Sequence, residues 1–165
     1  MRFLFDTKRL TVRLAVKNDL DFIMKLEQSD ENNAFVFQGT LEEHLDEIKD
    51  DNTFLMIIED KVSHTSKGFI LSGIDRKSDV FELRRIIISD KNHGYGKEII
   101  TALMKYCFEE LCINRFWLDV FTDNHAGIHL YRQLRMTLDG VLRESYKSGD
   151  NYRDQMIFSM LKREF

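Results

Sequence analysis

Ile86-Ile87-Ile88-Ser89-Asp90-Lys91-Asn92-His93-Gly94-Tyr95-Gly96-Lys97-Glu98 is the stretch on which the fold turns. An apolar run ends in a polar bend with two glycines, and a helical pattern starts directly after it. Ile99, Ile100, Leu103, Met104, Cys107, Phe108 and Leu111 recur three and four apart, which predicts a helix over 96–111. The first N–H groups of a helix have no intrahelical acceptor, and the helix dipole adds partial positive charge there. Glycine lets a bulky anion approach the main chain. Strand, bend and helix together therefore make a phosphate cradle. Two well-known cradles are excluded. Lys97 is followed by Glu98, not by the Ser or Thr of a nucleotide P-loop. Ile99 stands where a dinucleotide fingerprint needs its third glycine. The same two glycines also suit a tight strand-to-helix turn that holds nothing.

Working outward, 80–88 reads as a strand, and 115–121 alternates Phe116, Leu118 and Val120 as another. One helix joins them, so they are parallel neighbours. Upstream, 53–58 and 67–74 are short apolar runs, separated by polar turns at 60–66 and 75–79. Residues 10–14 alternate as a first strand. Asn18-Asp19 caps a helix carrying Leu20, Ile23, Met24 and Glu27, and Thr40-Leu41-Glu42-Glu43 has capping-box spacing. Asn124 caps a short helix with Leu130, Tyr131 and Leu134. Residues 138–146 and 152–161 form a closing hairpin around Lys147-Ser148-Gly149-Asp150. The order is strand, two helices, three strands, helix, strand, helix, two strands. A mixed α/β sheet with helices on its faces is the natural packing.

The bulk properties narrow the class. The chain has 165 residues, 43% apolar and 32% charged, which suits one globular domain over 1–165. A formal net charge of −4 lacks the basic excess of a nucleic-acid binder. Mild acidity suits a cationic substrate, or simply solubility. Cys107 and Cys112 fall at the end of one helix and suggest no disulfide framework. No apolar run is long enough to span a bilayer, and the first residues are too short and too soon charged for a signal peptide. The expectation is a cytoplasmic protein with no membrane partner.

The bend and its surroundings resemble the GNAT superfamily of N-acetyltransferases. That family carries Arg/Gln-x-x-Gly-x-Gly/Ala between its fourth strand and third helix. Lys91-Asn92-His93-Gly94-Tyr95-Gly96 matches the glycines, with Lys91 in the first position. Members often carry Asn-x-x-Ala, then Leu-Tyr, then Gly-Phe. Asn124-His125-Ala126-Gly127-Ile128-His129-Leu130-Tyr131 keeps the Asn and the Leu-Tyr, with Gly127 for Ala, and Arg135-Met136 stands for Gly-Phe. Residues 139–144 and Met160-Leu161 resemble the branch with ribosomal-protein N-terminal and spermidine acetyltransferases. The resemblance covers nearly the whole chain.

It implies a mostly antiparallel central sheet flanked by helices, with one parallel strand pair that splays apart after Ile86. Acetyl-CoA would fill the gap. Main-chain groups of Ile86, Ile87 and Ile88 would hold the pantetheine arm. The N–H groups from Asn92 through His93, Gly94, Tyr95 and Gly96 to Lys97 would hold the pyrophosphate, with Lys91 nearby. Asn124 and Tyr131 would meet the arm near the thioester. No metal is implied, and homodimers are common among similar proteins.

The chemistry would be attack of a neutral amine on the thioester, the acceptor being a polyamine, a protein N-terminus or a small amine. An amine of pKa about 10.4 is almost fully protonated at pH 7, and neutralising it costs roughly 4–5 kcal/mol. Glu82 is the candidate base, and it equally suits a structural carboxylate paired with Arg84. Tyr131 is the candidate donor to the departing thiolate, the role that the Asn124 to Tyr131 match favours over core packing beside Leu130 and Leu134. His125 and His129 lie four apart but lack further ligands for zinc, so they read as an exposed face. The acidic stretch with Glu27, Asp30 and Glu31, near Phe35 and Phe37, either attracts a cationic amine or is a solvated loop. A non-catalytic acyl-CoA-binding module is the alternative function.

Overall fold

The apolar runs become strands of one sheet. The computed structural model describes residues 2–29 and 38–165, so Asp30, Glu31, Phe35 and Phe37 of the acidic stretch lie outside the described residues. Strands β1 (Phe3–Asp6) and β2 (Leu10–Leu14) precede helices α1 (Leu20–Glu27) and α2 (Leu41–Lys49). The meander β3 (Thr53–Asp60), β4 (Ser66–Asp75), β5 (Val80–Ile88) follows, then α3 (Tyr95–Glu109) and β6 (Arg115–Phe121). Helix α4 (His125–Gln133) and the hairpin β7 (Thr137–Ser148) and β8 (Asn151–Leu161) complete the order. Across the sheet the strands run β1-β2-β3-β4-β5-β6-β8-β7, and β5–β6 is the parallel pair among antiparallel ones. This is the mixed, mostly antiparallel sheet expected. β1 is an addition, because Phe3-Leu4-Phe5 is too brief to show a period.

Each sheet face has its own core. Val12, Met56, Ile58, Ile70, Phe81, Leu83, Phe116 and Leu118 meet the buried stripe of α3, from Ile99 to Phe108. Leu55, Ile57, Phe69, Leu71 and Ile87 meet Leu20 and Ile23 of α1 and Leu45 and Ile48 of α2. Alternation along β3 and β4 sorts these side chains, because strand residues point to opposite faces in turn. Both cysteines are free, Cys107 buried and Cys112 exposed. Among the described residues no helix is long and apolar enough to cross a membrane.

Strand β5 breaks its own alternation. Leu83 pairs with Ser72 and Arg85 with Leu71, so Arg84 is an extra residue with no partner in β4. Before this β-bulge, Phe81 and Leu83 face the α3 side; after it, Ile86 and Ile88 do. Arg84 lies over Gly73, where an added Cβ would come within 2.3 Å of its guanidinium. A bulge bends and twists its strand. The last β5–β6 pair is accordingly Leu83 with Leu118. The strands therefore part after Leu83, three residues earlier than the expected point at Ile86, because the bend originates at Arg84.

Candidate active site

Beyond Leu83 one edge of β5 stays bonded to β4 as far as Ile88, while the edge toward β6 has lost its partner. The gap opens into a cavity of about 540 Å³, a size usual for small-ligand sites. Its wall includes Ile86, Ile87, Ile88, Lys91, Asn92, Gly94, Tyr95, Gly96, Asn124 and Tyr131, all expected in the site. His93 and Lys97, also expected, are exposed and outside the wall. The His93 ring stacks on Tyr95 with centroids 5.7 Å apart, and its carbonyl accepts from Arg9 Nη2 at 2.9 Å.

The bend is built for close approach. Asn92 (φ 64°) and Gly94 (φ 74°) both take the left-handed conformation, which Asn tolerates and Gly adopts freely. Gly94 is the N-cap of α3, and the first intrahelical bond runs from Glu98 N–H to Gly94 O at 3.2 Å. The N–H groups of Tyr95, Gly96 and Lys97 precede that bond and are the amides a helix start offers to an anion. Arg9 braces the bend from the turn between β1 and β2, pairing with Glu98 at 2.6 Å and lying 4.3 Å from the Tyr95 ring centroid. Lys67 holds Asp90 at 2.7 Å, and that bond keeps the Asp90 carboxyl below its ordinary range.

Across the gap, Asn124 Oδ1 accepts from Gly127 N–H at 3.0 Å and caps α4. Tyr131 is 8% exposed and packs on Phe158. Burial, then the nearby Asp119 charge, pushes its phenol up to about 12, so it stays protonated at neutral pH. The turn after α4 survives its altered sequence. Arg135 takes the left-handed conformation at φ 59°, Met136 is buried in the core, and Met136 N–H donates to Tyr131 O at 3.1 Å.

Glu82 lies on β5 before the bulge, outside the cavity wall, with Arg84 Nε 2.9 Å from its Oε2. His125 and His129 are exposed on α4, and His129 Nε2 lies 2.9 Å from Gln133 Nε2. Glu27 is buried. It accepts from Gly39 N–H at 3.1 Å, meets His44 Nε2 at 3.0 Å and pairs with Arg85, itself part of the wall. His44 Nδ1 meets Glu47 at 2.7 Å. Hydrogen bonds to Glu27 and then Glu47 raise the His44 pKa to about 9.

The wall residues that the sequence does not point to include Asp119, Phe121, Tyr146 and Gln155. The usable signal was Asp119, a lone carboxylate within Phe116-Trp117-Leu118-Asp119-Val120-Phe121, on the face opposite Leu118 and Val120. The others come from β6, β7 and β8, and only tertiary pairing brings them together.

Residues 20–135 match the model of the acetyltransferase (GNAT) family. An uncharacterised N-acetyltransferase of Bacillus subtilis is 27% identical over 96% of this chain and 97% of its own length. The spermidine N(1)-acetyltransferase of Vibrio cholerae is 23% identical over 88% and 89%. Among solved structures, a GNAT-family acetyltransferase from Bacillus anthracis superposes with a TM-score of 0.84 at 17% identity, over 98% of this chain and 99% of that one. The Vibrio cholerae spermidine N-acetyltransferase in complex with CoA and spermine has a TM-score of 0.84 at 22% identity, over 94% and 96%.

Proposed function

The chain belongs to the acetyltransferase (GNAT) family and is an acyltransferase; from that premise we propose that it transfers acetyl from acetyl-CoA to a primary amine by direct attack. One observation carries this reading: the open β5 edge, the helix start at Tyr95 and Gly96 and the Tyr131 side chain line one cavity. An extended pantetheine arm would add to the β5 edge as a strand does, bonding main-chain groups of Ile86 to Ile88. The pyrophosphate would rest on the bend from Lys91 to Lys97, and Asn124 would meet the arm nearer the thioester.

In this reading Tyr131 protonates the leaving sulfur. A phenol near 12 is a weak acid beside a solution thiol of about 8.5. The departing thiolate, however, would form in the same desolvated space, where burial raises its proton affinity too. Glu82, held by Arg84 outside the wall, would take a proton only through water. The 1–165 span acts as one acetyltransferase domain, with a polyamine, a protein N-terminus or a small amine as acceptor. The exposed Leu138, Val141 and Leu142 of edge strand β7 are compatible with a homodimer.

The test is calorimetry with coenzyme A, followed by thiol release from acetyl-CoA with spermidine, lysine methyl ester and an alanine-terminated peptide. Binding with release for at least one amine is expected. Binding without release for any amine would favour a non-catalytic module, and no binding would overturn the site.

A further inference from the structure

The cavity wall contains a carboxylate that the family motifs do not cover. Asp119 lies on β6 one residue past the last β5–β6 pair, where the strands have separated. Its surroundings are arranged. Ser145 Oγ donates to Gln155 Oε1 at 2.8 Å, which turns the Gln155 amide so that Nε2 donates to Asp119 Oδ2. Gln155 is fixed by register as well, since Phe121 pairs with Gln155 and Asp119 with Ile157 on β8. Phe121 and Tyr146 meet edge to face 4.9 Å apart and continue the wall beside it. The titratable groups around Asp119 are Glu82, Arg84 and Arg85 on β5, Asp90 and Lys91 at the bend, Tyr131 and Tyr146 on the wall, and Arg153 on β8. Arg84 is bonded to Glu82, Arg85 to Glu27, and Arg153 to Asp123 at 2.7 Å while lying over the Phe121 ring. Burial foremost, with the Glu82 charge, raises the Asp119 carboxyl above its usual range, and among the described residues no cation offsets it.

We propose that Asp119 is a catalytic residue, the carboxylate that receives the acceptor's ammonium group and takes its proton. The inference rests on the acetyl-transfer reading above. A carboxylate without a cationic partner in a largely desolvated wall is costly unless a cation joins it. Tyr146 adds an aromatic ring to the wall, to which alkylammonium groups are attracted, while Arg153 already lies over Phe121. The site thus selects a cationic primary amine whose first carbons are apolar.

The proton balance is complete. The ammonium gives one proton to Asp119, and the freed nitrogen lone pair bonds to the acetyl carbonyl carbon. The tetrahedral adduct then collapses and the C–S bond breaks with its electron pair on sulfur. Tyr131 protonates that sulfur, and the second proton leaving nitrogen restores the phenol. Asp119 returns its proton to solvent.

Asp119→Asn tests this with the amine from the panel that wild type turns over fastest. Expected is a fall in amine kcat/KM of about 100-fold or more at pH 7, the scale of a lost acid–base group. Coenzyme A Kd should stay within about twofold, which also reports that the variant is folded. The deficit should narrow to about tenfold or less near pH 10, where roughly a quarter or more of the bulk amine is neutral. Asp119→Ser, smaller and equally unable to take the proton, should behave alike and serves if the Asn variant does not fold. A kcat/KM within threefold of wild type at pH 7, or an equal deficit at both pH values, overturns the role of Asp119 and leaves acetyl transfer intact. Failure of wild type to bind coenzyme A, or to acetylate any amine, overturns the underlying reading instead.

Discussion

Raising the pH should unlatch α1 from α2 through His44. The imidazole side chain has no exposed surface, with Glu27 on one nitrogen and Glu47 on the other. Its folded pKa of about 9 lies above the ordinary 6.5. A raised folded pKa means the folded state holds the proton more tightly. The stabilisation is therefore complete below pH 6.5 and is lost as pH climbs through about 9. At about 1.4 kcal/mol per unit, a shift from 6.5 to about 9 amounts to ~3 kcal/mol, with most of the loss between pH 7 and 9. For 165 residues that corresponds to roughly 6–12 °C in Tm. The assay is urea unfolding of wild type and His44→Gln at pH 6, 7, 8 and 9. The variant cannot bind the proton, and Arg85 still balances Glu27 in it. The stability gap between the two proteins should shrink by ~3 kcal/mol from pH 6 to pH 9. A gap that stays constant across that range would refute the argument, because His44 would then carry no linked proton.

Four further outcomes are expected. Tyr131→Phe should lower kcat about 100-fold while coenzyme A Kd stays within about twofold, measured by thiol release and calorimetry. Gly94→Val puts a β-branched residue at φ 74°, so it should cost about 1–3 kcal/mol and weaken coenzyme A binding. Thermal melts and calorimetry on the one variant check both effects. Arg135→Gly removes the left-handed penalty at φ 59° and should raise stability by about 0.5–1 kcal/mol in urea unfolding. Deleting Arg84 removes the bulge while keeping Ile86 and Ile88 on the α3 face, so the chain should still melt cooperatively. β5 should then pair further along β6, and calorimetry should find coenzyme A affinity lost; unchanged affinity would show that the bulge does not open the gap.

The sequence carried the fold where period and caps were strong. The α3 stripe, the Thr40–Glu43 capping box and the helix crossover each rest on a few adjacent residues, and each stands as read. The glycine bend was legible because glycines and helix starts are local features. The splay point was misplaced for a physical reason. In 80–88, the inward set shifts phase across the charged pair Arg84-Arg85, but the wholly apolar Ile86-Ile87-Ile88 hides that shift, and nothing local tells which arginine β4 will skip. The Asp119 side of the cavity was nearly silent. Asp119, Phe121, Tyr146 and Gln155 sit on three strands that meet only through the β6–β8–β7 pairing.

The site and the fold share one cause. A parallel pair continuing past Leu83 would have closed the β5 edge with β6 main chain, leaving no space for an arm between them. The extra residue at Arg84 turns β5 away just where β6 presents Asp119 and Val120. Helix α4 then covers one side of the opening with Tyr131, and β8 covers the other with Gln155. The bulge also sets Arg85 toward Glu27, so the α1–α2 latch reaches the cavity wall through one guanidinium. The open β5 edge, the exposed approach to Asp119 and the Arg85–Glu27 pair thus all follow from one interruption in one strand.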